Sequence, residues 1–246
     1  MTGTFKFPHT PLLAWLGEGG PRADKVLSPD ERASFLRHPV VVEEKVDGAN
    51  VGISFDASLS LVVRNRGAVL GAGAHPQFQA LWPWLAQRRE RLAEALESKL
   101  VLFGEWCFAV HSVRYDRLPD YFLTIDVYDT QMRMFWSADR RDELARNLGL
   151  APVPRLGDGR FTLQGLRQLL GSTTSHIGSE PMEGLYLRWE ERGWLQERAK
   201  LVRPEFAQAI EEHWTSRPLE RNAVTRAPML ERISSRRGST HPAASE

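Results

Sequence analysis

Cysteine is almost missing from this sequence. Cys107 is its one thiol in 246 residues, which excludes an internal disulfide and any Cys-cluster zinc site. The seven histidines show no metal-ligand spacing. No apolar run is long enough to span a bilayer, and the N-terminus has no signal-peptide pattern. A cytoplasmic location with no membrane partner is therefore expected. Net charge is also small: the formal value is +1, so any basic surface must be local. No internal repeat is seen. Gly71-Ala72-Gly73 lacks the third glycine of a dinucleotide fingerprint and reads as a loop. What is present is ordinary for a globular chain, 42% apolar and 26% charged, and suits one large domain or one domain with an appendage.

Local signals divide the chain. Thr4 to Leu16 mixes aromatics with Pro8 and Pro11 and is expected to lie extended on the domain. Gly17 to Gly20 reads as a loop. Ser28-Pro29-Asp30-Glu31 opens a helix with a capping box, and His38-Pro39 ends it. Strands are expected on both sides of Lys45 and over Leu59–Arg64, with a turn at Asn65-Arg66-Gly67. Apolar spacing predicts one amphipathic helix over Gln77–Leu100 in which the Trp82/Trp84 pair belongs to the core. Strands follow at Leu100–Trp106 and Tyr121–Asp129. Helices follow between Ser137 and Gly149 and between Thr162 and Gly171. Met182–Trp189 and Trp194–Val202 form a hairpin. Pro204 opens a helix with Phe206, Ile210 and Trp214 on one face, and from Ser234 the composition is that of a disordered tail.

The centre of the pattern is Val40-Val41-Val42-Glu43-Glu44-Lys45-Val46-Asp47-Gly48, a β-branched run that delivers a lysine into a turn. A lone K-x-D-G match is weak, and a lysine in a turn is usually a solvated one. The rest of the chain adds parts that a phosphate-attacking lysine needs. Such an amine must be neutral when it attacks, and nearby cations would favour that form. Cationic groups or a metal must meet the charge that builds on the phosphate oxygens, and the metal needs carboxylates. Arg64 and Arg66, Glu105 in Phe-Gly-Glu, Glu183 in Glu-Gly-Leu-Tyr-Leu, and Lys200 in Arg-Ala-Lys-Leu-Val-Arg follow Lys45 in that order.

In this order the set resembles the covalent nucleotidyltransferase superfamily, and within it the ATP-dependent RNA ligases, over roughly residues 5–206. The resemblance implies an α+β, ATP-grasp-like ligase core of antiparallel sheets flanked by helices around a nucleotide groove. It makes Lys45 the nucleophile that takes AMP from ATP. It puts Glu44 where the family's backbone meets adenine, Arg64 or Arg66 at ribose or phosphates, and Glu105 at a ribose hydroxyl. Glu183 would hold Mg²⁺ or Mn²⁺, and Lys200 would bind the α-phosphate. His9 and Thr10 would line the pocket.

This chain departs from the family at two places. Ile125 stands where an aromatic often stacks on adenine, so an aliphatic wall or Phe122 must serve. Val202 stands where a second lysine is frequent, so Arg198 or Arg203 must compensate. Asp47 is the residue that DNA ligases carry where many RNA ligases have His. Too few residues remain after Val202 for the OB-fold those DNA ligases append.

The implied partners are ATP and RNA with 5′-phosphate and 3′-hydroxyl ends, in RNA repair, with an end-healing partner enzyme. A DNA nick ligase and a catalytically silent nucleotide-binding homologue are the alternatives. The expected division is an adenylyltransferase domain at 1–206, a helical appendage at 207–233 and a disordered tail at 234–246. Arginines 221, 226, 232, 236 and 237 give the end of the chain a basic cast, either solubilising or in contact with phosphates.

Overall fold

The computed structural model describes residues 5–18, 20, 25–66, 68–71, 73–208 and 218–225. Several expectations therefore fall wholly or partly outside the described residues: Gly19, Gly67, Ala72, Ile210, Trp214, the arginines from 226 onward and the tail from Ser234.

Helix α1 (Pro29–Leu36) begins as its sequence predicts. Glu31 N donates to Ser28 Oγ, Ser28 N donates to the Glu31 carboxylate, and Pro29 occupies the first turn. Strands β1 (Val40–Lys45), β2 (Ala49–Phe55), β3 (Leu61–Asn65) and β4 (Ala68–Val69) follow. The helix expected over Gln77–Leu100 is broken. Pro76–Phe78 is a single 3₁₀ turn, α2 spans Leu81–Ala86 and α3 spans Arg89–Leu96. Two causes are visible. Pro83 is tolerated only in the first turn of a helix, which sets where α2 starts. Tertiary anchors then fix its end: Trp84 Nε1 donates to Asp120 at 2.9 Å, and Arg88 donates to Trp84 O at 3.2 Å. The core placement of Trp84 holds, and Trp82 packs against the same core.

Strands β5 (Leu100–Trp106) and β6 (Phe122–Asp129) come next, then β7 (Met134–Phe135) and α4 (Ala138–Leu148). Ser137 caps α4, and Gly149 ends it in the left-handed region at φ 69°. The short strands β8 (Ala151–Pro152) and β9 (Arg155–Gly159) precede α5 (Leu163–Ser172). Helix α5 runs through Gly171 rather than stopping there, because the Arg203 guanidinium takes the carbonyls of Leu170 and Thr173 at its end. Strands β10 (Gly184–Glu191), β11 (Trp194–Val202) and the short helix α6 (Pro204–Gln208) complete the order.

Two sheets result. One has the order β11-β10-β1-β9; the other runs β4-β3-β2-β5-β6-β7, with β8 added parallel to β6. The other pairings between these strands, among the described residues, are antiparallel. Each sheet buries its outer face under helices. Val40, Val42, Leu185, Leu187, Ala199 and Leu201 pack with Phe35 of α1 and Leu166 and Leu170 of α5. Val51, Ile53, Leu102, Trp106 and Val127 pack with Leu81, Leu85, Leu92 and Leu96 of α2 and α3.

The inner faces combine an ionic seam with an aromatic cluster of Phe103 and Tyr128 against Phe5, Phe7 and Phe135. Arg188 of β10 reaches Asp126 of β6 at 2.5 Å, and Arg198 of β11 reaches the other oxygen of Asp126 at 3.0 Å. Arg141 of α4 pairs with Glu43 of β1 at 2.5 Å. Both Arg141 and Arg188 donate to the carbonyl of Ile125. An ionic seam whose Glu43, Asp126, Arg141 and Arg188 are buried therefore joins the two sheets.

Residues 218–225 are extended, not helical. They bridge to Ala109 and Leu118, which corrects the expectation of a helix across that part of 207–233. Hydrogen bonding to the segment around 107–118 replaces the helical ladder there.

Candidate active site

Strand alternation builds the site. On β1, Val40 and Val42 point into the apolar core beneath α1 and α5, so Glu43 and Lys45 point between the sheets. On β2, Val51 and Ile53 face the helices, and Asn50 faces inward opposite Glu105 of β5. The two inner faces enclose a cavity of about 230 Å³ that includes Lys45, Asn50, Glu105 and Arg66. The N-terminal segment Lys6–Thr10 closes one side, and Tyr186 and Lys200 form another. Ile125 and Val153 supply the aliphatic wall.

Lys45 is one-quarter exposed or less, and its Nζ lies 2.5 Å from Glu183 Oε2. Glu105 lines the cavity, as do Arg66, Lys200, Ile125, His9 and Thr10. Thr10 is buried, next to the Tyr186 phenol. Glu44 also lines the cavity, but its carboxylate is engaged elsewhere: Oε1 accepts from Ser175 Oγ at 2.6 Å and Oε2 from His176 N at 2.9 Å. Alternation turns that side chain away from Lys45, leaving backbone to the pocket.

Several expectations need correction. Phe122 is fully buried among the helix-facing residues, 5.0 Å ring to ring from Trp84, and does not line the cavity. It sits an odd number of residues from Ile125, hence on the opposite face of β6. The β5–β6 register skips Ile125, pairing Phe103 with Asp126 and Gly104 with Thr124. That bulge keeps both Ile125 and Asp126 on the inner side. Gly104 is required by Phe122, since a Cβ there would lie 2.2 Å from its ring. Arg64 lines a smaller adjoining pocket with Phe5, Phe7 and Phe103, whereas Arg66 lines both that pocket and the cavity, so of the two only Arg66 borders the cavity itself. Arg203 holds the end of α5 and Met182 O, and Arg198 is committed to Asp126 and to the Tyr186 hydroxyl. Neither lines the cavity in place of a second lysine.

Gly48 serves the protein itself. A Cβ there would lie 2.8 Å from Trp106 O, so the turn after Lys45 packs on β5. Asp47 is turned toward the segment that follows β5: its Oδ2 accepts from Ser112 N at 2.6 Å and Val113 N at 3.2 Å, while its own N–H donates to Tyr115 Oη at 2.8 Å.

The electrostatics also differ from expectation. Burial pulls the Lys45 amine down, but the carboxylates of Glu183, Asp47 and Glu105 outweigh it and hold the amine above the ordinary lysine value. Cations line the cavity, yet carboxylates govern this lysine. Burial raises Glu105 to about 7, against the attraction of Lys45 and Arg66. Burial likewise raises Glu183 to about 7, against Lys45. Among the described residues no cluster of three His, Cys, Asp or Glu could cage a metal. Glu183 nonetheless suits an ion such as Mg²⁺, which takes one or two carboxylates and completes its shell with water and phosphate oxygens.

Sequence reasoning missed Asn50, Tyr186, Lys6, Val46 and Val153, all in the cavity wall. Alternation could have found Asn50, between Ala49 and Val51, and Tyr186, between Leu185 and Leu187. Asn50 is buried with an unpartnered Oδ1. Lys6 and Val153 carried no such signal, because loops with no periodicity bring them there.

The model of the RNA ligase family matches residues 38–202. No curated protein matches. Among solved structures, a Naegleria gruberi RNA ligase variant with ATP and Mn matches with TM-score 0.53 and 18% identity over 72% of this chain and 53% of that one. A variant of the same enzyme with AMP and Mn gives 0.53 and 17% over 72% and 53%. The enzyme with PPi gives 0.51 and 22% over 67% and 49%. These likenesses are of fold, and the chain spans about half the length of the structures it matches.

Proposed function

This chain belongs to the RNA ligase family, and from that premise we propose that it is an ATP-dependent RNA ligase working through a lysyl-AMP intermediate. The observation that carries the reading is the Lys45 amine, set in the wall of an inter-sheet cavity beside Glu183, Glu105, Arg66 and Lys200. On this reading residues 1–206 form the adenylyltransferase domain of a nucleotidyltransferase fold, in a cytoplasmic enzyme.

In the first step the neutral Lys45 amine attacks the α-phosphorus of ATP. The N–P bond forms as the P–O bond to pyrophosphate breaks, and the amine's proton must leave. Glu183, 2.5 Å away, is the acceptor within reach when it is not itself holding the metal. Arg66 and Lys200 supply fixed positive charge for the phosphate oxygens. Glu105 accepts a ribose hydroxyl, the backbone at Glu44 meets the base, and Ile125 and Val153 give it an aliphatic face. A divalent ion held by Glu183 with the phosphates would draw carboxylate charge from Lys45 and stabilise charge on the α-phosphate. AMP then passes to an RNA 5′-phosphate, and a 3′-hydroxyl displaces it to close the phosphodiester. A 5′-phosphate and a 3′-hydroxyl are what an end-healing partner enzyme would leave.

The test is to incubate the protein with α-labelled ATP and Mg²⁺ and then denature it. Label is expected on the wild-type chain and absent from Lys45→Ala. ATP binding with no covalent label would refute turnover, leaving the silent homologue. Adduct formation followed by sealing of nicked DNA but not nicked RNA would overturn the choice of polymer.

A further inference from the structure

Asn222 is 3% exposed, although its neighbours Arg221 and Ala223 are exposed. Its side-chain amide is fully used. Nδ2 donates to Cys107 O at 2.9 Å and to Ala109 O at 3.2 Å, and Oδ1 accepts from Tyr115 N at 2.8 Å. Its backbone N–H donates to Phe108 O at 3.0 Å. Around it, Val110 N donates to Glu220 O, Ala223 N to Tyr115 O, and Thr225 N to Leu118 O. One amide thus bridges the two arms of a segment that leaves β5 after Trp106 and returns through Tyr115. Only an amide offers both donors and the acceptor at this size.

The same segment holds the turn after Lys45. Ser112 N and Val113 N bind the Asp47 carboxylate, and Tyr115 Oη receives the Asp47 N–H. Its outgoing arm continues directly from Glu105, which lines the cavity. The 175–180 stretch also touches it, through Arg114 N to Glu180 and Arg117 to Gly178 O. Asn222, however, is the buried side chain that closes one arm on the other.

We propose that residues 218–225 are a latch on the segment 107–118, and that Asn222 is a positioning residue for Lys45 adenylylation, acting through Tyr115 and Asp47. This rests on the ligase reading above. The family match ends at residue 202, so the latch is a feature of this chain beyond the matched region. Residues after the core thereby set the geometry of the nucleophile without touching the nucleotide. Small displacements of a reacting group are costly, so loosening the latch slows the in-line attack more than it weakens ATP binding.

The experiment is a double-mutant cycle on the full chain. Wild type, Asn222→Ala, Tyr115→Phe and the double variant are mixed with α-labelled ATP in single turnover, with the ATP half-saturation and Tm of each measured alongside. Wild-type adduct formation tests the ligase reading separately, since its absence would sink that reading before the cycle begins. The expected result is an adduct rate lowered about ten- to hundredfold in each single variant. ATP half-saturation should stay within about threefold, and the double variant should be scarcely slower than the worse single, because both act on one link. Additive losses, or equal losses in rate and ATP binding that follow Tm, would overturn the positioning role. If Asn222→Ala does not fold, Asn222→Ser, which keeps one donor and one acceptor, replaces it in the cycle. Failure of both to fold would also overturn the proposal, making the segment a core element and not a latch.

Discussion

Replacing Glu183 by Gln should make Lys45 a far better nucleophile toward a simple acylating reagent, in the protein without nucleotide. Glu183 and Lys45 stand 2.5 Å apart, with side-chain exposures of 13% and 23%. At that separation a unit charge pair is worth about 1.7 kcal/mol in water and about 6.6 kcal/mol at an effective dielectric of about 20. Partial exposure places the true value toward the lower end, and about 1.4 kcal/mol is a factor of ten in a protonation equilibrium. Gln keeps the shape and removes the charge. The desolvation that pulls the amine down is then opposed by Asp47 and, more weakly, by Glu105. The neutral fraction of Lys45, and its rate of acetylation at pH 8, should rise by at least about tenfold. The assay is timed acetic anhydride labelling read by mass spectrometry, with exposed Lys25 as the internal reference. Glu105→Gln should act in the same direction and less, having no hydrogen bond to the amine. A change under about threefold, or slower labelling of Lys45 relative to Lys25, would refute the claim that Glu183 keeps this lysine protonated.

Two further outcomes follow from buried charge. Glu105 and Glu183 sit at about 7 in the folded protein against 4.5 ordinarily, so between those values the folded state binds more protons than the unfolded chain and these groups make stability fall as pH rises. The Tm of wild type should therefore drop more between pH 5 and 7 than that of Glu105→Gln/Glu183→Gln, and parallel curves would contradict the assignment. Arg188→Ala leaves Asp126 with Arg198 alone, and leaves Glu190 with the Ala138 N–H but no guanidinium. It should cost about 3–5 kcal/mol in urea unfolding, and a loss below about 1 kcal/mol would show that the seam does not hold the sheets together.

The sequence by itself determined the longer strands, most of the caps and the order of the chemical groups, because each is written in neighbouring residues. The capping box of α1, the Ser137–Gly149 helix and the β-branched run before Lys45 needed nothing distant. Two-residue alternation also decided that Lys45 and Glu43 share a face and that Glu44 does not. Tertiary structure decided the rest. Phe122 or Ile125 at the cavity turned on strand parity and a bulge whose register depends on β5. Arg64 or Arg66 turned on how far along β3 the cavity lies, since both arginines share one face of that strand and the turn after it. The charge state of Lys45 turned on carboxylates from β5, from the turn after β1 and from the residue before β10, which meet only when two sheets close on each other. Asn222 lies far along the chain from the loop it holds, in a stretch with no periodicity, and only packing could give that amide its work.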